Sequence, residues 1–244
     1  VETNLEYSNR EYSDLSSGFV SSSDLALLSV GLRWGWTLRT ELFGRVYGYQ
    51  SQVRMQQGQN QTERNDTDWS RVLVGVNHQF SDDGQTPALL GFATVDLLDN
   101  PGVEGANVGA ARNINLGLTS YRSLDPLLLS AVAMYEYHSE YDVGEVTLEP
   151  GNSFSLSPQF AFAVNHLVTL TGGVTWEWHD SPRVDRESLT ITRSRTRLLL
   201  GMGYSWSEDI SLSLNGAFSV TDSEGSSLNA SVVYKFDDRK RSAN

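Results

Sequence analysis

Apolar residues take every second position in segment after segment of this chain. Leu28, Val30, Leu32 and Trp34 do so in one; Val72, Val74 and Val76 in another; then Ile114, Leu116 and Leu118; Val168, Leu170, Val174 and Trp176; and Ile210, Leu212, Leu214 and Phe218. A period of two belongs to a β-strand whose faces meet different surroundings. Strands are expected at roughly 2–12, 24–34, 37–53, 67–80, 88–98, 107–120, 127–141, 153–165, 167–178, 189–206, 209–220 and 228–236. Tight turns near Gly35, Asp83, Ser123, Asn165 and Glu208 alternate with longer polar connections. These run from Asp14 to Ser23, Gln56 to Asn65, Asp99 to Ala106, Asp142 to Asn152, His179 to Glu187 and Asp222 to Ser227. Short turns at one end and long loops at the other give an all-β, antiparallel up-and-down transmembrane β-barrel of about twelve strands. Residues 1–236 form this barrel domain and 237–244 a short polar tail, with both termini on the short-turn, periplasmic side.

The two faces of the strands differ in chemistry. One carries Leu, Val, Ile, Ala, Phe and Gly. The other carries small polar groups: Asn113, Asn115 and Thr119; Thr169, Thr171 and Thr175; Ser211, Ser213, Asn215 and Ser219. A soluble lipocalin-like barrel or a sandwich shows the same alternation turned inside out. Trp34, Trp36, Trp69, Trp176, Trp178 and Trp206 all fall near strand ends, with Tyr135, Tyr137, Tyr204, Tyr234 and Phe236 close by. Strand-end aromatics make interfacial girdles in a membrane barrel, whereas a soluble core would place them mid-strand.

Composition narrows the choice. No apolar run reaches 18 residues, so a transmembrane helix is excluded while a barrel is not. Cysteine is absent, which removes disulfides and thiolate chemistry. A net charge of -12 argues against a nucleic-acid partner. Lys235 and Lys240 are the only lysines, although soluble sheets commonly guard exposed strands with lysine. The chain starts at Val1 without an initiator Met and reads as a mature or trimmed sequence.

Candidate chemistry lies on the polar face. Arg193, Arg195 and Arg197 alternate along one strand and share a side. Arginine near the membrane midplane costs a few kcal/mol, so these three are expected to line the pore or its rim. They would act there as a selectivity ladder for anions or as partners of lumen carboxylates. Glu136, His138 and Glu140 share a face in the same way. They could ligate a metal or serve as acid and base, but an answer to the lumen arginines is the expectation. Arg39, Glu41 and Arg45 on the third strand, with Arg71 on the next, read as a further pore-lining network near the turn side. No catalytic constellation emerges: Ser139 faces away from His138, His78 and His166 lack serine or acid motifs, and His179-Asp180 is adjacency alone. Neither an enzyme nor a cofactor is expected.

Several hairpins resemble a known group. Ser29-Val-Gly-Leu-Arg-Trp-Gly-Trp-Thr-Leu-Arg-Thr-Glu-Leu42 resembles a hairpin of outer-membrane barrels related to the phenol-degradation MetA-pathway proteins. So do Asp125-Pro126-Leu-Leu-Leu129 with Tyr135-Glu-Tyr137, and Pro150-Gly151-Asn152 leading into Phe160-Ala-Phe-Ala-Val-Asn165. Within that group, the chain is similar to the barrel of the functional-amyloid secretion channels of pseudomonads. The resemblance implies a homotrimer in the Gram-negative outer membrane, preceded by a coiled coil and a helical plug. It also implies export of unfolded amyloid subunits to the cell surface in biofilm formation. Phe236 departs from the common pattern, since many outer-membrane barrels end on such an aromatic and here eight residues come after it. The expected partners are outer-membrane lipid and an unfolded polypeptide cargo. The alternative is a passive porin for small anionic solutes such as acidic oligosaccharides.

Overall fold

The chain begins and ends on neighbouring strands. Val1 donates from its terminal nitrogen to the carbonyl of Tyr234 at 2.8 Å, and β1 (Glu2–Asp14) pairs antiparallel with β16 (Ser226–Tyr234). That seam closes a sheet in a computed structural model describing residues 1–14, 19–57, 60–100, 108–185, 187–188, 193–221 and 225–236. The other barrel strands are β2 (Phe19–Gly35), β3 (Thr40–Gln57), β4 (Asn60–Ser81), β5 (Ala88–Asp99), β6 (Asn113–Leu124) and β7 (Leu127–His138). They continue through β10 (Ser153–Ala163), β11 (Val168–His179), β14 (Arg193–Ser205) and β15 (Ile210–Ser219). Each pairs with its sequence neighbours in the barrel, so all connections are hairpins. Four short strands, β8 (Tyr141–Val143), β9 (Val146–Glu149), β12 (Arg183–Val184) and β13 (Glu187–Ser188), form a separate sheet in the long connections, in the order β13-β12-β9-β8.

The distribution of apolar surface is inverted relative to a soluble fold. Among the described residues, Leu73 and Ala88 are the only buried hydrophobic ones, while Leu32 is 64 % and Trp34 67 % exposed. Leu28, Val46, Leu116, Leu156, Leu200 and Val232 stand outside in the same way. A continuous apolar exterior on this scale is not a surface for water; lipid is its solvent. This separates the outer-membrane barrel from the inside-out soluble alternative. Cross-strand partners Tyr135 and Phe154, and Phe154 and Trp178, set an aromatic level at the long-loop end. Trp34, Trp206, Tyr234 and Phe236 are exposed at the short-turn end, giving two girdles.

The twelve expected strands are all present, but several expected loops are not loops. A membrane strand needs about 9–11 residues, whereas β3 has 18 and β4 has 22. The described part of the Gln/Asn-rich stretch Gln56 to Asn65 therefore continues the ladder, which runs to the pair Gln57 and Asn60. The described part of Asp14 to Ser23 does the same, with Asp14 opposite Phe19. The described parts of the connections Asp142 to Asn152 and His179 to Glu187 contribute to the short extra sheet. Outside the hydrocarbon both strand faces meet water, so these segments pair through their backbones without alternation to betray them. Residues 101–107, 222–224 and the tail 237–244 lie outside the described residues.

Three bulges break the regular ladder, one of them where Phe80 is skipped between the pairs Gln79–Leu90 and Ser81–Leu89. Ser70 is skipped between the pairs Tyr47–Arg71 and Gly48–Trp69, and Leu97 between Leu73–Asp96 and Val72–Leu98. An extra residue reverses the parity of the rest of the strand. Leu97 and Leu98 thus both face outward, at 48 % and 46 % exposure, while Asp99 comes inside opposite Arg71.

Candidate functional site: the barrel lumen

Register assigns the inner face strand by strand. On β10, β11, β14, β15 and β16 it is small and polar. Ser157 and Thr175 exchange a hydrogen bond of 2.9 Å, and Ser213 and Ser231 one of 2.6 Å. Ser153, Ser155, Ser157 and Thr175 are buried in this wall, toward its long-loop end. On β2 to β7 the inner face is bulkier, with Leu25, Leu27, Phe43, Tyr47, Tyr49, Phe92 and Met134 sharing it by register. Phe43 and Phe92 lie against Gly75 and Gly117 of the adjacent strands, where a Cβ would meet the rings. Glycine there lets an aromatic ring fold along the wall. The lumen is therefore two-sided, with a hydroxyl and amide wall facing an aromatic and aliphatic one.

Charge is arranged as linked pairs. A chain of contacts starts near the turns with Glu41 and Arg33 at 3.4 Å, and continues through Arg33 and Glu2 at 3.8 Å and Glu2 and Arg45 at 2.8 Å. Arg45 donates to the Tyr47 hydroxyl at 3.3 Å, and the Arg71 guanidinium lies 4.5 Å from the centre of the Tyr47 ring. Arg71 is 4.0 Å from Asp96, which accepts from Asn113 Nδ2 at 2.6 Å. Asp96 is fully buried. A second knot joins Glu177 of β11 to Arg195 and Arg197 of β14, with His179 Nε2 3.3 Å from the same carboxylate. Glu177 is 8 % exposed, so its charge is compensated by direct contact rather than by water.

The residues singled out by sequence divide into two groups. Arg195 and Arg197 meet at Glu177, and Arg193 stands opposite His179 at the loop end of the same ladder. Glu41, Arg45 and Arg71 belong to the charge chain. Glu136 accepts a hydrogen bond from Ser153 Oγ at 2.8 Å, and the His138 backbone donates to Asn152 Oδ1 at 3.1 Å. Arg39 and Glu140 are corrections to the strand assignment. Arg39 sits in the turn before β3, where it bonds Asp82 at 2.8 Å. Glu140 comes after the end of β7 and is exposed, so it does not share a strand face with Glu136 and His138. No trio of His, Cys, Asp or Glu among the described residues is placed to hold a metal ion.

Glu2, Arg33, Tyr47, Asp96, Asp99 and Glu177 join these networks without standing out in the sequence. Glu177 does carry a usable signal, as it extends the polar set Thr169, Thr171 and Thr175 by one more alternate position. Asp99 carries none, because its face depends on the Leu97 bulge.

No protein-family model and no curated protein sequence matches the chain. Solved structures do match in shape. The COG4313 outer membrane channel from Pseudomonas putida F1 superposes with a TM-score of 0.71 at 13 % identity, over 96 % of this chain and 95 % of that one. The translocator domain of the autotransporter NalP from Neisseria meningitidis gives 0.60 at 12 % identity, over 96 % and 87 %. The KdgM porin gives 0.53 at 9 % identity, over 97 % and 100 %. At these identities the likeness is one of fold: this chain is a closed, twelve-stranded outer-membrane β-barrel.

Proposed function

We propose that the barrel is a passive outer-membrane pore whose cargo is extended polypeptide, namely unfolded amyloid subunits on their way to the cell surface, and that it works as a homotrimer. The observation supporting this most directly is the mutual pairing of the lumen charges. Glu41, Arg33, Glu2 and Arg45 answer one another, as do Glu177, Arg195 and Arg197. A passing chain of mixed sequence then meets little uncompensated charge that would hold it. Inner-face groups such as the Ser213 hydroxyl and the Asn215 amide offer hydrogen bonds that are individually weak in water. The fold also serves as the translocator domain of an autotransporter, which is compatible with a polypeptide conduit. Movement through such a pore is diffusive. Deleting the gene tests the reading: surface fibres should disappear while uptake of small solutes continues. A deletion strain with normal fibres that fails to grow on one small solute would overturn it.

A solute porin is the second reading, and a recess in the wall between β2 and β5 favours it. In its anionic form, Arg193, Arg195 and Arg197 attract the solute. Glu177 would have to release two of them for the ladder to act at full strength.

A further inference from the structure

The wall between β2 and β5, toward the long-loop end, holds a recess of about 430 Å³. Small-ligand sites commonly measure about 300–1,000 Å³. Its floor is apolar: Leu25 and Leu27 of β2 beside Tyr49 of β3. Leu27 and Tyr49 are direct cross-strand partners, and the Tyr49 hydroxyl donates to Asp66 Oδ2 at 2.9 Å, which fixes the ring. Its rim is polar, with Asp66, Arg71 and Asp99 around the floor. Arg71 is held in place by the Tyr47 ring and by Asp96.

We infer that this recess is a subsite for a neutral saccharide unit. The inference rests on the pore reading in one respect, that a solute must reach the lumen. A pyranose ring presents a C–H face and an edge of hydroxyls. The first suits a floor of tyrosine and leucine. The second suits a rim with two carboxylate acceptors and a guanidinium donor. Other ligand classes fit less well. A wholly apolar solute would strip water from Asp99 and Arg71 and return no hydrogen bonds. An anion would meet two carboxylates for one arginine.

The test uses the folded protein in detergent, with maltotriose as the neutral probe and trigalacturonate as the anionic one. Binding is read by titration calorimetry and pore activity by planar-bilayer conductance. Maltotriose should bind, trigalacturonate should bind at least several-fold more weakly, and Tyr49→Ala should lower maltotriose affinity about tenfold. Tyr49→Phe, which keeps the ring, should retain most of it. If Tyr49→Ala fails to fold, Asp99→Ala leaves the floor intact and should still weaken maltotriose binding. The subsite is overturned if the wild type does not bind maltotriose, if trigalacturonate binds more tightly, or if the folded floor and rim variants bind like wild type. A barrel that conducts but binds no sugar keeps the pore and loses the subsite. One that binds maltotriose but never conducts loses the pore and keeps the subsite.

Discussion

Asp96 and Asp99 of β5 face the same side of the barrel wall although they stand three residues apart. In a regular strand, positions three apart fall on opposite faces. The Leu97 bulge reverses the parity between them, sending Leu97 and Leu98 together into the exterior and placing Asp99 opposite Arg71. Deleting Leu97 would remove the bulge and leave Asp96, Leu98 and Asp99 in regular alternation, with both aspartates still inside and Leu98 outside. The expected outcome is a barrel that keeps its mobility difference between boiled and unboiled samples on detergent gels, whereas inserting one further residue after Leu98 would turn Asp99 outward and abolish it. A Leu97 deletion that loses the difference would contradict this assignment of faces.

Glu177 offsets two arginines at once, and its removal should be visible in ion flow. Glu177→Gln leaves Arg195 and Arg197 without their carboxylate. Reversal potential in a salt gradient should move toward anions. Thermal stability should fall by about 1.5–3 kcal/mol, the range for hydrogen bonds to charged groups. An unchanged reversal potential would place this knot away from the conducting path.

The converse substitution addresses the arginines. Exchanging Arg193, Arg195 and Arg197 for Glu should shift the reversal potential toward cations, provided the triple variant keeps its heat-modifiable mobility. Selectivity equal to wild type would assign the three to holding the wall together, not to selecting ions.

Exterior and interior positions should respond oppositely to charge. Leu116 is 52 % exposed on the lipid side, and Leu116→Arg should cost about 2–4 kcal/mol if it lies near the midplane. Thr171 is on the inner face beside Gly201, and Thr171→Arg should cost much less. Chemical denaturation in lipid vesicles reads both. Equal costs would contradict the assignment of faces.

The inner aromatics can be tested through their glycines. The Phe92 ring lies where a side chain at Gly117 would sit. Gly117→Val should displace the ring and destabilise by about 1–3 kcal/mol, as overpacking does. Adding Phe92→Ala should recover part of that loss. A double variant no better than Gly117→Val alone would mean that the glycine matters for another reason.

Alternation reads well wherever a strand separates lipid from the lumen, because one face must be apolar. Leu28 to Trp34 and Val168 to Trp176 are legible for that reason, and so are the aromatic girdles. Legibility ends at the membrane boundary. Gln56 to Asn65 is uniformly polar, and nothing in its pattern separates a paired strand from a loop; only the ladder to Gln57 and Asn60 does. Within the lumen, the triplet Arg193-Arg195-Arg197 and the pair Glu136-His138 can be placed on a face by counting alone. Their partners cannot. Which carboxylate answers Arg195 depends on the β11–β14 register, and which face Asp99 takes depends on a bulge. Both are settled between strands, so a reading along a single strand misses them. The strand placement of Arg39 and Glu140 goes wrong for a related reason, since parity says nothing about where a strand stops.

The seam between β1 and β16 joins residues at opposite ends of the chain. Glu2 lies across from Val233, so this pair of strands is the one hairpin-free contact in an otherwise sequential ladder. Every other neighbouring pair can zip as soon as its second strand exists. This one must wait until the last strand has been delivered, and until then the sheet carries two raw edges whose backbone groups have no partner in hydrocarbon. Closure is thus a late event of long loop entropy. An assembling barrel of this kind is safest when something holds its open edges until Tyr234 reaches Val1.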